Sequence, residues 1–366
     1  MISSSDISHT VTAAATAAGF ELSGIASVRE EDFPELHAFI DWVDAGNAGE
    51  MKYLEKRIED GSLKRASAKN AAPWVRSVIV CGLNYNTGKP YSTQVHEPQR
   101  GWISRYAWGN KDYHQAVGAR LQQVEAAVRV MASQNNLPIE TRSYVDTGPI
   151  VERVYARYAG LGWIGKNTCL INQKLGSFFF LGVILTSLDL PPDLAAADRC
   201  GSCTRCIDAC PTEAIVAPGK LDSRRCIAYM TIEKRGEIPV EFRELMGHHI
   251  FGCDICQDVC PWNTKAGNAP YTQAPEFQPQ PRSFHPDLAS LAEMDEDTFR
   301  QTFRDSPVKR AKHTGLKRNV AVAMGNSGRQ EFVPALKKMA ADADPVVAEH
   351  AQWALDKLTG KNALSK

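Results

Sequence analysis

Ten cysteines set the chemistry this sequence can perform, and eight of them fall between positions 200 and 260. The first run, Cys200-Gly-Ser-Cys203-Thr-Arg-Cys206-Ile-Asp-Ala-Cys210-Pro211, has gaps of two, two and three and closes on Cys-Pro. That is the spacing of bacterial iron–sulfur ligand runs, in which the Cys before Pro serves the other cluster. A second run, Cys253-Asp-Ile-Cys256-Gln-Asp-Val-Cys260-Pro261, keeps the gap of three and the closing Cys-Pro but lacks its first Cys, and Cys226 is the unassigned thiol nearby. Crosswise pairing puts Cys200, Cys203, Cys206 and Cys260 on one [4Fe-4S] cluster, and Cys210, Cys226, Cys253 and Cys256 on the other. Cys81 and Cys169 are spare. Disulfides and zinc are the duller readings. A chain that reads as cytoplasmic keeps its thiols reduced, and zinc ribbons rarely carry this spacing with Cys-Pro.

A second stretch holds a single acid among glycines: Tyr144-Val-Asp146-Thr-Gly-Pro-Ile-Val-Glu-Arg153, followed by Ala159-Gly-Leu-Gly-Trp-Ile-Gly-Lys-Asn-Thr168. Such glycines let backbone approach a large ligand closely. The bland alternative is a pair of tight turns with Asp146 capping the helix that follows. The pattern is not a dinucleotide fingerprint, so a Rossmann site is not expected.

The elements that must position these residues alternate. Helices are expected over 7–18, 35–45, 113–133 and 151–160, and strands over 77–85, 142–145 and 177–187, which together suggest an α/β layer fold. Pro191-Pro192 marks a boundary. The Cys region has little apolar core of its own, and a Pro-rich linker from Asn268 to Pro286 leads into a helical tail. There, 306–326 reads as one helix and 332–339 and 345–358 as two more, a short HEAT-like repeat that must dock on the body. Three domains result: an α/β catalytic domain (1–192), a ferredoxin-like two-cluster domain (193–267) and a HEAT-like α-helical domain (268–366).

Lys+Arg and Asp+Glu balance at 42 each in 366 residues, so any basic face is local. No apolar run approaches the roughly 20 residues of a membrane span. With no basic, apolar leader after Met1, the chain reads as cytoplasmic with no membrane partner.

Taken together, the Asp146-Thr-Gly-Pro and Gly162-Trp-Ile-Gly-Lys-Asn167 segments, the Tyr106-Ala-Trp and Asp112-Tyr-His114 motif, and the split second Cys run resemble the epoxyqueuosine reductases. The likeness runs from about Met51 to the tail, with Asn110 lengthening the loop before Asp112 by one residue. It implies a monomer that reduces the epoxide of epoxyqueuosine at the wobble position of tRNA to queuosine. The implied cofactors are base-off cob(II)alamin and two [4Fe-4S] clusters, fed by an external donor of flavodoxin or ferredoxin type. Asp146 would be the general acid, its pKa raised by an apolar, cofactor-covered pocket. Tyr113 and His114 would orient substrate, or simply form a satisfied pair at a helix start.

Cobalamin would lie along Gly162 to Thr168, with Trp163, Lys166, Asn167, Thr168, Gln173 and Ser177 in contact. Arg57 and Lys69 would meet its phosphate or the tRNA, a solvated face being the alternative for each. The tRNA would be held by Lys309, Arg310, Lys312, Lys317 and Arg318, with Arg310, His313 and Lys317 on one helical face. Two other readings stand beside this one: a reductive dehalogenase, and a non-catalytic ferredoxin-like electron carrier.

Overall fold

The structure, a computed structural model, describes residues 4–29, 31–264 and 269–360. The residues next to Met1 and the expected boundary at 267/268 lie outside the described residues. Four strands, β1 (Leu22–Ser27), β2 (Ser77–Asn84), β3 (Thr141–Tyr144) and β4 (Phe179–Thr186), form one sheet in the spatial order β1-β2-β4-β3. Every neighbouring pair is antiparallel. Ile25, Ile79 and Ile184 line up across three strands.

Side chains alternate between the two faces of the sheet, and helices cover both. Ile79, Cys81, Leu83, Phe180 and Ile184 pack on one side with Val11 and Ala15 of helix Ser4–Ala17 and with Val117, Leu121 and Val124 of helix Tyr113–Gln134. Val78, Val80, Val183 and Leu185 pack on the other with Leu36 of helix Pro34–Asp44 and with Val154 and Tyr155 of helix Glu152–Tyr158. Coverage on both faces is why β2 and β4 read as nearly continuous apolar runs. β1, with Ser and Gly among its six residues, gave no such signal.

The α/β expectation needs correction in one respect. Helices and strands do alternate along the chain, but the sheet between the two helical layers is wholly antiparallel. Alternation does not set strand direction when connections are long, because a long crossover returns the chain from either end of the sheet.

The Cys region contains only short pieces, among them helices Arg205–Asp208, Ile227–Ile232 and Ile255–Asp258. Its strand His249–Phe251 pairs in parallel with Trp102–Ile103 from the long loop after β2. One apolar core continues from Trp102 and Trp108 through Ile250 and Phe251 to Phe303, Val320, Leu336 and Ala351. The tail is thus docked on the body, as its size requires. It does not begin as one helix. Pro307–Ala311 is a 3-10 turn, Lys312 has φ +62°, and the α-helix runs Lys312–Asn326. Helices Val333–Ala340 and Pro345–Leu358 follow.

Candidate active site and cysteine clusters

β3 ends two residues before Asp146, whose φ of +58° turns the chain sharply. Asp tolerates this left-handed region better than most side chains. Gly148 completes the turn under Tyr144, where a Cβ would come within 2.4 Å of the ring. Asp146 does not cap the next helix, since Val151 holds that position with no side-chain bond. Its Oδ2 accepts a hydrogen bond from Tyr113 Oη at 2.7 Å and lies 3.5 Å from His114 Nε2. The side chain is two-thirds exposed.

Tyr113 and His114 open their helix, capped by the Asp112 side chain, which accepts from the His114 N–H at 3.1 Å. Asp112 is only 3% exposed, and its Oδ1 also accepts from His114 Nδ1 at 2.7 Å. Lys309 from the tail reaches its Oδ2 at 2.9 Å. The Tyr113 ring stacks on His114 at 4.0 Å and on Phe180 at 4.6 Å.

The electrostatics reverse one expectation. Burial pushes the Asp146 carboxyl up, but the nearby His114 imidazole and the hydrogen bond from Tyr113 outweigh it and hold the pKa below the ordinary value. Burial likewise opposes charge on His114, yet bonds to Asp112 and Asp146 push it up to about 9. At neutral pH the proton rests on His114, not on Asp146. Glu152 is pushed up to about 8, chiefly by burial and further by the Asp146 charge, and its Oε1 has no partner. Arg65, which donates to the Ile150 carbonyl at 2.9 Å, adds positive potential at Asp146. Sequence reasoning missed Arg65 and Glu152, and it quoted Asp112 only as part of a motif. The cap position of Asp112 was the one available signal.

The ten thiols are free. Cys206 feels the charges of Cys200 and Cys203, and Cys260 those of Cys200 and Cys206. Cys253 feels Cys226 and Cys210, and Cys256 feels Cys253 and Cys226. These influences run crosswise between the two runs, Cys260 acting with the first and Cys226 with the second. Among the described residues, no group of three or more Cys, His, Asp or Glu is drawn together tightly enough to hold a single metal ion. Cys169, left spare by the sequence, is half-buried, and Cys256 holds its thiol pKa below the ordinary value.

Several side chains expected on cobalamin are bonded to the cluster loops instead. Trp163 Nε1 lies 3.4 Å from Cys200 Sγ, and Lys166 Nζ donates to the Gly201 and Cys203 carbonyls at 2.7 and 3.0 Å. Asn167 donates to the Cys256 carbonyl at 3.2 Å, and Ser177 Oγ accepts from Gln257 and Asn263. The physical reason is local: this glycine-rich segment packs directly on the cysteine loops, whose carbonyls need donors. Thr168 has φ +65° and its carbonyl accepts from Arg153, while Gln173 is exposed. Arg57 pairs with Asp44 at 2.9 Å, and Lys69 donates to the Arg29 carbonyl at 3.2 Å, both on exposed ground.

The basic tail also departs from expectation. The break at Lys312 takes Arg310 off the face it was to share with His313 and Lys317. Arg310 pairs with Glu233 at 2.7 Å and lies 5.5 Å from the Tyr53 ring centre, close enough for its charge to act on Asp146's surroundings. Lys317 pairs with Asp342 at 2.6 Å and is largely covered. Arg318 offers no surface to a phosphate, because it is 0% exposed and donates to the carbonyls of Met230, Lys234 and Gly236. Lys312 is exposed and has no ion pair among the described residues.

A sheet covered on both faces, an open carboxylate beside an imidazole, and two cysteine runs with iron–sulfur spacing define a class: an iron–sulfur oxidoreductase. Residues 199–263 match the 4Fe-4S double cluster binding domain, and residues 65–147 match the family described as Epoxyqueuosine reductase QueG, DUF1730. The epoxyqueuosine reductase of Xanthomonas campestris is 40% identical over 356 residues, covering 96% of each chain. That of Pseudomonas aeruginosa is 41% identical over 341 residues, 92% of this chain and 90% of the relative. A solved epoxyqueuosine reductase with an epoxyqueuosine-modified tRNA-Tyr stem loop superposes with a TM-score of 0.85 at 29% identity, over 97% of this chain and 91% of that one. The chain belongs to the epoxyqueuosine reductase family.

Proposed function

We propose that this chain reduces the epoxide of epoxyqueuosine at the tRNA wobble position to the alkene of queuosine. The observation that carries the reading is the cleft where Asp146, Tyr113 and His114 meet, beside a segment bonded to the cysteine loops. Family membership supports it, as does the relative solved with a modified stem loop. In this reading the two thiol quartets hold two [4Fe-4S] clusters, and the loop Cys200–Cys206, with exposed residues between its ligands, faces an external flavodoxin- or ferredoxin-type donor. The tail is HEAT-like and contributes to tRNA docking, the protein acts as a monomer, and the setting is the cytoplasm. Among the described residues no helix is long and apolar enough to cross a membrane.

The cleft fits a large cofactor. Asp146 is open to solvent, Glu152 Oε1 is buried without a partner, and Cys169 is half-buried beside the cysteine loops' neighbour Asn167. The backbone of Gly162 to Thr168, with Gln173, would hold cobalamin. When bound, cobalamin supplies electron delivery to an epoxide carbon, which no side chain provides. The chain's own residues do the rest. Asp146 presents its carboxyl group to the leaving oxygen, Tyr113 Oη fixes that group's orientation, and His114 holds a proton 3.5 Å away. Arg65 and Arg310 place positive charge around the cleft for an anionic substrate.

The test is direct. The protein, loaded anaerobically with iron, sulfide and cobalamin, is given epoxyqueuosine tRNA and a low-potential reductant, and nucleosides are read by mass spectrometry. Queuosine is expected; its absence under active electron supply would overturn the reading.

A further inference from the structure

We infer that His114 restores the proton of Asp146 during turnover, and that Asp112, clamped by Lys309 of the C-terminal segment, positions His114 for that transfer. The inference rests on the proposed reduction and gives Asp112 and Lys309, which that reading leaves without a role, a part in it.

The imidazole faces two carboxylates. Its Nδ1 is 2.7 Å from buried Asp112, and its Nε2 is 3.5 Å from Asp146 and has no hydrogen-bond partner at rest. A buried carboxylate on one ring nitrogen keeps the proton there and leaves the other nitrogen to exchange. One face of the imidazole is stacked on Tyr113, which Phe180 backs in turn, and its Nδ1 is tied to Asp112, so ring rotation is restricted. His114 Nε2 is itself buried and faces Asp146, which is two-thirds exposed, so the proton that recharges the ring enters by way of Asp146.

Asp112 shows why the tail matters. A buried carboxylate needs compensating charge, and it receives two cations, His114 from its own helix and Lys309 from the 3-10 turn. The groups facing His114 are therefore Asp112 and Asp146. Lys309 acts behind Asp112, and Tyr113 and Arg65 act on Asp146.

The reaction consumes two electrons and two protons, breaks both C–O bonds of the epoxide and releases water. The electrons come from the external one-electron donor. The first proton goes from His114 through Asp146 to the epoxide oxygen as the first C–O bond breaks, leaving a hydroxyl group. His114 is reprotonated from solvent by way of Asp146, and the second proton leaves with that hydroxyl as water while the alkene forms. Asp146 is a carboxylate at rest, and His114 beside it holds the proton that it passes on.

The two flanking charges predict shifts of opposite sign. Imidazole-carbon NMR on the cluster-loaded chain should find His114 titrating near pH 9. Asp112→Asn should lower that value below the ordinary imidazole range of about 6.5, since burial then acts with less opposition. Lys309→Met, which frees Asp112 for His114 alone, should raise it. The alkaline limb of the single-turnover rate should move in the same directions, and His114→Asn should slow reduction by about 100-fold or more with stem-loop affinity unchanged. A His114 that titrates near 6.5 in the wild type, or shifts of the same sign in the two variants, would overturn the relay. A wild type that makes no queuosine overturns the functional reading and the relay with it. One that makes queuosine with an unshifted His114 overturns the relay alone. If Asp112→Asn fails to fold, the half-exposed Lys309→Met and the wild-type titration still decide.

Discussion

At the scale of single residues, the acid group was visible in the sequence and its charge was not. Asp146 stands alone among glycines at a strand end, which marked it. Its protonation depends on two side chains 32 and 33 positions earlier, and no local pattern carries that. Asp146→Asn should keep clusters and stem-loop binding but slow turnover by about 100-fold or more, as single-turnover kinetics with iron analysis would show. Glu152 offers an independent check. Its folded pKa of about 8 lies above its ordinary value of 4.5, so its contribution to stability is fully present below pH 4.5 and is lost as pH rises toward 8. Glu152→Gln removes that loss. In anaerobic denaturant titrations its stability relative to wild type should climb between those pH values and then level off.

At the scale of elements, periodicity found the long helices and the doubly buried strands within about three residues at each end. It failed where a backbone angle or a partner element decided. Residues 306–326 read as one helix, yet Lys312 with φ +62° divides them, and the basic side chains scatter into separate ion pairs. Arg318 looks like its neighbours in sequence but satisfies three buried carbonyls. Arg318→Leu should lower stability by about 2–4 kcal/mol, at roughly 1 kcal/mol or more per stranded acceptor, as chemical denaturation would measure. Lys312→Ala should leave stability nearly unchanged and reduce the salt slope of tRNA binding by about one. Equal salt slopes for Lys312→Ala and wild type would move the docking surface elsewhere.

At the scale of the whole molecule, the proposed cluster ligands come from distant chain segments. Cys260 lies near Cys200 and Cys206, and Cys226 near Cys210 and Cys253. Cys260→Ser should therefore cost one cluster while the other persists, leaving roughly half the iron by metal analysis and one cluster signal by EPR. Loss of both would point to a shared scaffold instead. The same scale joins the tail to the cleft, since Lys309 and Arg310 reach the surroundings of Asp112 and Asp146 from more than 160 positions away.

The sequence by itself determined the redox chemistry, because ligand type and spacing within a few residues dictate what a cysteine loop can bind. It also determined the layers, because a helix or strand buried on a known face repeats its apolar residues at a known period. Strand direction, the bonding of Lys166 and Asn167 to the cluster loops, and the place of the proton were decided only by the tertiary structure. Each depends on groups far apart in the chain and on burial, which changes both the cost of a charge and the partners available to it.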